Sequence, residues 1–187
     1  MNGQVHNEVD LILASSLKEL ALKRPIEKIT IKEITDKAGV IRPTFYNHFQ
    51  DKYELIEWII KTEVLAPVLP LVENGMFEEG MVLLLTNIQK DKAFYIKAAK
   101  MEGPISFHEI SQKCVREELL AIFDKQPHAI MAKYRWLTTQ MVATYYAQTM
   151  CFAVEEWIRM GMEVPPREMA ELYFYMLTHS VGDFMHQ

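Results

Sequence analysis

Apolar residues recur at helical spacing along almost the whole chain, and the alternation of a β-strand is rare. The spacing is clearest between Ile29 and Trp58. Ile31, Ile34 and Ala38 form an i, i+3, i+7 stripe, which predicts a short helix burying one face. Gly39 ends it, because glycine takes the left-handed conformation without steric cost. Val40 then plugs the turn. Pro43 suits a first helical turn, where its missing N–H has no partner to lose, so a second helix begins at Arg42 or Pro43. Phe45 and Phe49 lie four apart and would anchor this helix, leaving Arg42, Thr44, Tyr46, Asn47 and His48 to point outward. Five hydrogen-bonding or aromatic side chains on one short helix suit a major groove, whose base edges offer donors, acceptors and thymine methyls.

The same periodicity predicts the remaining elements. A lead of residues 1–7, read as flexible and without Lys or Arg, precedes a helix from about Glu8 to Leu22. Its buried side is expected to carry Val9, Ile12, Leu13, Leu17 and Leu20. Arg24-Pro25 breaks it, and Ile26 and Ile29 staple it to the next helix. A connecting helix opens at Asp51-Lys52 and runs to about Val64, with Leu55, Ile56, Ile59 and Ile60 on one side and the Lys52 ammonium placed where a DNA phosphate would be welcome. Pro67 and Pro70 mark a boundary and Asn74-Gly75 a turn. Helices then follow at about Phe77–Gln89, Lys92–Met101 and Ile105–Phe123, the last closed by Gln126-Pro127, and at about Ala129–Met160 and Arg167–Met185. Gly161 separates the final two.

Thr30, Ile34, Ala38-Gly39-Val40, Pro43-Thr44-Phe45-Tyr46, His48-Phe49, Lys52 and Leu55 together resemble the DNA-binding domain of the TetR family of one-component bacterial transcription regulators. The resemblance covers about the first sixty residues and is much weaker beyond Glu63. It implies an all-α fold of about nine helices: a helix-turn-helix DNA-binding domain at residues 1–50, a connecting helix at about 52–66, and a C-terminal effector-binding and dimerisation domain at 67–187. The DNA-binding set it marks is Thr30, Lys32, Arg42, Pro43, Thr44, Tyr46, Asn47, His48 and Lys52. Arg42 would pair with guanine, Thr44 meet a thymine methyl, Tyr46 meet the DNA backbone and His48 a phosphate. Lys32 is either a phosphate ligand or a solvated surface charge. In the family the lysine matching Lys52 binds phosphate, and its helix links the DNA site to the ligand site. Two departures stand out: Arg24-Pro25 replaces the glycine common near that turn, and Ile41 replaces a Ser or Thr whose hydroxyl would cap the reading helix.

Composition refines this picture. The net charge of −5 argues against indiscriminate nucleic-acid binding, yet it is unevenly spread. From Lys18 to Lys52 eight bases face five acids, giving +3, whereas from Pro67 onward eleven bases face fifteen acids, giving −4. The positive charge thus sits on the reading head. Cys114 and Cys151 show no metal spacing and read as buried free thiols of a cytoplasmic protein. Residues Met1 to Asp10 lack the basic-then-apolar order of a signal peptide.

Trp136 to Val154 carries no charge over nineteen residues, but six of them are Thr or Gln, so a buried helix is expected and not a membrane span. One face can cover its own core, and the other needs a partner. In the family the last two long helices pair with their copies, and Trp157 to Gly161 followed by Pro165-Pro166 resembles a subset of it. Met150, Val154, Trp157, Tyr173, Met176, Leu177, Ser180 and Phe184 are the expected homodimer contacts. Large adaptable side chains, among them Tyr95, Phe107, Met141, Tyr146 and Phe174, either fill a core or line a pocket. The expected pocket set for a small-molecule effector is Phe94, Met101, His108, Trp136, Gln140, Thr144 and Tyr145.

No cofactor is called for, and neither P-loop, GxGxxG, GxSxG nor HExxH occurs, so an enzyme is disfavoured. His179, Asp183 and His186 share a helix face but sit at the chain's end, and no metal is expected there. The expected function is a homodimer that binds a palindromic double-stranded operator, most commonly as a repressor, and responds to a small molecule. The alternative is a helical interaction module, or an activator controlled by a protein co-regulator.

Overall fold

The computed structural model describes residues 2–125, 134 and 136–185, with side chains from residue 8 onward. Among these residues every regular element is helical. The N-terminal part comprises α1 (Asn2–Lys23), a short 3₁₀ turn (Ile26–Lys28), α2 (Ile31–Ala38), α3 (Arg42–His48) and α4 (Lys52–Ile59). Beyond it come α5 (Leu69–Glu73), α6 (Phe77–Lys90), α7 (Lys92–Ala98), α8 (Phe107–Phe123), α9 (Thr139–Arg159), α10 (Pro166–Thr178) and α11 (Val181–Met185). The two helices beyond the nine expected are the five-residue α5 and α11. α11 arises because the last predicted helix breaks at His179, where Ser180 donates its N–H and hydroxyl to Asp183 and starts a new turn.

Local chemistry explains the reading head. Thr30 accepts from the Glu33 N–H while Glu33 bonds back to the Thr30 N–H, a reciprocal cap on α2. Gly39 lies at φ 69° and Val40 N–H returns to the Thr35 carbonyl, closing the helix end. Ile41 precedes α3 without a side-chain cap, and the proline beside it removes one donor that would need one. Phe45 and Phe49 are buried and pack at 5.9 Å. Asp51 caps α4 by accepting from the Tyr53 and Glu54 N–H groups.

In α1 the helix starts at Asn2, earlier than the apolar stripe suggested. Its buried face is Leu13, Ala14, Leu17 and Ala21, and Ile12, expected inside, is 47% exposed because it lies off that line. α4 continues without interruption into a π-helical turn, Ile60–Leu65, marked by the Ala66 N–H bonding the Lys61 carbonyl at 2.8 Å. Leu55, Ile56, Ile59, Ile60, Val64 and Leu65 are all buried, and they run from the head into the core of the second half. Ion pairs reinforce that passage: Lys18 of α1 meets Glu63 and, at 2.7 Å, Asp91, while Lys61–Glu117 and Lys113–Glu57 at 2.6 Å tie it to α8.

In the second half α9 packs along α8 and α10 along α6. Small residues, Ala143, Ala147 and Cys151, face inward on α9 and let it approach α8 closely. The α9–α10 corner is held by Gly161 at φ 82° and by Trp157 Nε1 donating to the Val164 carbonyl at 2.8 Å. Among the described residues no helix is long and apolar enough to cross a membrane.

An added Cβ at Gly39 would meet nothing within 4 Å, so a substitution there is strained only through its backbone. Gly39→Ala is expected to lower stability by about 1 kcal/mol in chemical denaturation, and Gly39→Asn by less, since Asn tolerates this conformation.

Candidate nucleic-acid interface and ligand cavity

The exposed surface of α3 and its entrance is formed by Ile41, Arg42, Pro43, Tyr46 and Asn47, with Thr44 half-buried beside them. Tyr46 is 53% exposed and its ring stands edge-on to that of buried Phe45 at 5.7 Å. Arg42 has no ion pair among the described residues, whereas Arg24, Lys32 and Lys37 pair with Glu33, Asp36 and Glu19. An unpaired guanidinium beside an oriented tyrosine is a group that can fork onto guanine or phosphate. Ile41, besides leaving α3 without a side-chain cap, is 69% exposed at the same corner and offers an apolar contact.

Three residues of the expected DNA-binding set have other work. His48 does not point outward: its Nδ1 lies 2.7 Å from Asp10 Oδ1, with the imidazole largely buried, so it fastens α3 to α1. The Thr30 hydroxyl is committed to the α2 cap. The Lys52 ammonium lies 2.9, 2.7 and 2.9 Å from the carbonyl oxygens of Ile26, Glu27 and Ile29. Those three bonds use all its protons, so it bolts the α1–α2 loop to α4 in place of the expected phosphate contact. Burial lowers its pKa, opposed by nearby Glu27, Asp51 and Glu33. Lys32, exposed, is paired with Asp36 at 2.7 Å across one helical turn, an arrangement of little energetic weight that a phosphate could replace.

A cavity of about 800 Å³ opens in the second half. Leu65 and Val68 wall it from the connecting helix side, Met81 from α6, Leu119 and Phe123 from α8, Tyr146 and Met150 from α9, and Tyr173, Phe174 and Leu177 from α10. None of the seven expected effector residues lines it. Phe94 and Met101 are core. His108 is spent on buried Glu155 at 2.8 Å, and the Thr144 hydroxyl on the Gln140 carbonyl at 2.7 Å. Trp136 and Tyr145 are 68% and 58% exposed, and Gln140 is exposed too. The wider group of adaptable side chains does contribute Tyr146, Met150 and Phe174.

The expected dimer contacts lie in different environments within one chain. Trp157 and Tyr173 are buried within one chain, Val154 and Leu177 are half-buried against its core, and Met150 faces the cavity. Met176, Ser180 and Phe184 are exposed. The uncovered side of α9 instead carries Met141, Tyr145 and Phe152, on nearly the opposite face from Met150 and Val154.

The remaining reactive groups are quiet. Burial pushes the Cys114 and Cys151 thiols up to about 12, so neither is a thiolate near neutrality. His179 Nδ1 contacts the Tyr175 carbonyl, Asp183 caps α11, and His186 lies outside the described residues, as does the expected Gln126-Pro127 break.

The Lys52 geometry gives a direct test. Lys52→Met should lower the head's stability by about 2–3 kcal/mol while leaving the salt slope of DNA binding unchanged. Unchanged stability with a slope reduced by about one would return Lys52 to the phosphate backbone.

Comparison with known proteins agrees with this layout. Residues 12–59 match the bacterial regulatory proteins of the tetR family, and residues 76–179 match a transcriptional regulator C-terminal region. A curated relative, the HTH-type dhaKLM operon transcriptional activator DhaS of Lactococcus lactis subsp. lactis (strain IL1403), is 26% identical over 154 residues, covering 80% of this chain and 79% of its own. The solved structure of a dihydroxyacetone kinase operon activator DhaS shares the fold, with a TM-score of 0.58 at 21% identity over 90% of this chain and 92% of that one. With two matches that together span head and C-terminal half, on an all-helical frame that presents a helix-turn-helix, the chain belongs to the TetR family of DNA-binding transcription regulators.

Proposed function

We propose that the protein acts as a homodimer that reads a two-fold symmetric operator through α3 and is re-set by a small molecule in the α5–α10 cavity. The observation that carries the DNA reading is α3 itself, where Arg42, Pro43, Tyr46 and Asn47 are exposed on a helix anchored from beneath by buried Phe45. Thr44 and Lys32 complete the contact surface, and Lys52, His48 and Thr30 hold it in shape. A net charge of +3 from Lys18 to Lys52 supplies modest phosphate attraction, so affinity depends on base contacts and on a second head.

Pairing is supported by the apolar residues that α9 and α10 leave in water: Met141, Tyr145 and Phe152 on one, Leu172 and Met176 on the other. Stripes of this kind on adjacent long helices suit an isologous four-helix contact. Coupling is supported by Leu65, which both belongs to the connecting helix's π turn and walls the cavity. A ligand that displaces Leu65 acts on the same rod that carries the head, and so selects among head spacings.

Repression is the outcome most common in the family. One observation favours activation: the curated relative is named an operon transcriptional activator. Run-off transcription from the protein's own upstream DNA separates the two, with transcript falling for a repressor and rising for an activator.

Arg42→Ala and Tyr46→Ala are each expected to weaken binding to that DNA by roughly tenfold or more in fluorescence anisotropy, without loss of helicity. Binding that is unchanged in both variants would remove α3 as the reading element.

A further inference from the structure

Building on the reading of the α5–α10 cavity as the effector site, we propose that its ligand is a lipophilic cation, with a bulky apolar or aromatic body and a single positive charge. Among the described residues three charged ones line the cavity: Glu73, Glu118 and Lys125. Glu73 and Lys125 neutralise each other at 2.7 Å and are both exposed, which places them at the rim. Glu118 is half-buried on α8 and has no ion pair or hydrogen bond among the described residues. Among the described lining residues Glu118 is therefore the one uncompensated charge, on a wall that is mostly apolar.

Filling the cavity removes water from that carboxylate, and the cost depends on what replaces the water. A neutral apolar ligand leaves the charge stranded, and an anion adds repulsion. A cation pairs with it inside a region of low polarity, where the attraction exceeds that at the surface. The rest of the wall suits the same ligand. Phe123 and Tyr146 stand edge to face at 6.5 Å, and Tyr173 and Phe174 do so at 5.7 Å, so four aromatic rings line the same cavity as Glu118 and are available to a cation. The volume of about 800 Å³ falls within the range for a ligand of drug size.

The test uses the full-length protein and two probes of nearly equal shape and opposite charge, tetraphenylphosphonium and tetraphenylborate, titrated calorimetrically at fixed salt, with Nile red as a neutral apolar probe. The phosphonium should bind, and Glu118→Gln should weaken it by about tenfold while leaving Nile red binding and the melting temperature unchanged. Lys125→Gln, which releases Glu73, should tighten phosphonium binding. Borate bound as tightly as phosphonium, or phosphonium indifferent to Glu118→Gln, overturns the cationic class while Nile red binding leaves the cavity's role as a ligand site intact. Failure of all three probes to bind overturns both the class and the effector reading of the cavity.

Discussion

The structure depends on one rod of buried apolar side chains. Leu55, Ile56, Ile59, Ile60, Val64 and Leu65 lie along α4 and its π turn, and a single core encloses them from the reading head to the wall of the cavity. Close-packed interiors do not deform smoothly, so displacement at one end is passed along the rod instead of being absorbed. The π turn falls on the stretch where the rod leaves the head and meets the cavity. Its i→i+5 bonding departs from the α-helical winding that precedes it, a rare feature that is frequent at functional sites.

Polar contacts decide how firmly the head sits on that rod. Lys52 holds three carbonyls of the α1–α2 loop, His48 holds Asp10, and Lys18 reaches from α1 to Glu63 in the π turn. These groups are cationic or titratable and sit in a region whose motif resembles a DNA-contact surface. The structure separates clamped groups from free ones: the buried or clamped cations fix the frame, and Arg42, Tyr46 and Asn47 are left exposed on α3. An ammonium with three carbonyl partners has no proton to offer a phosphate, whatever its place in the motif.

The head was legible in the sequence because its signals are local. Gly39, Pro43 and the Phe45–Phe49 spacing each act within one turn of helix, and each produced the element it predicted. The Thr30–Glu33 cap could also have been read from its spacing, and it would have marked Thr30 as structural. The C-terminal half was less legible because α9 is apolar on most sides. Size suggested that its large residues face the core, yet only Trp157 and Ile158 near its end are fully buried, while Ala143, Ala147 and Cys151 face inward along the rest, since close approach to α8 needs small side chains. The cavity brings together α5, α6, α8, α9 and α10, drawn from well over half the chain, and no periodicity reports which side chains converge. Glu118 stood out in none of the patterns because its significance lies in the absence of a partner.

The central claim, that two copies of α3 read one symmetric operator, is tested most directly by hydroxyl-radical footprinting of the purified protein on its own upstream DNA. The account predicts two protected patches related by a two-fold axis, with centres separated by about 10 base pairs or a multiple of it. A single asymmetric patch, or uniform protection along the fragment, would contradict it.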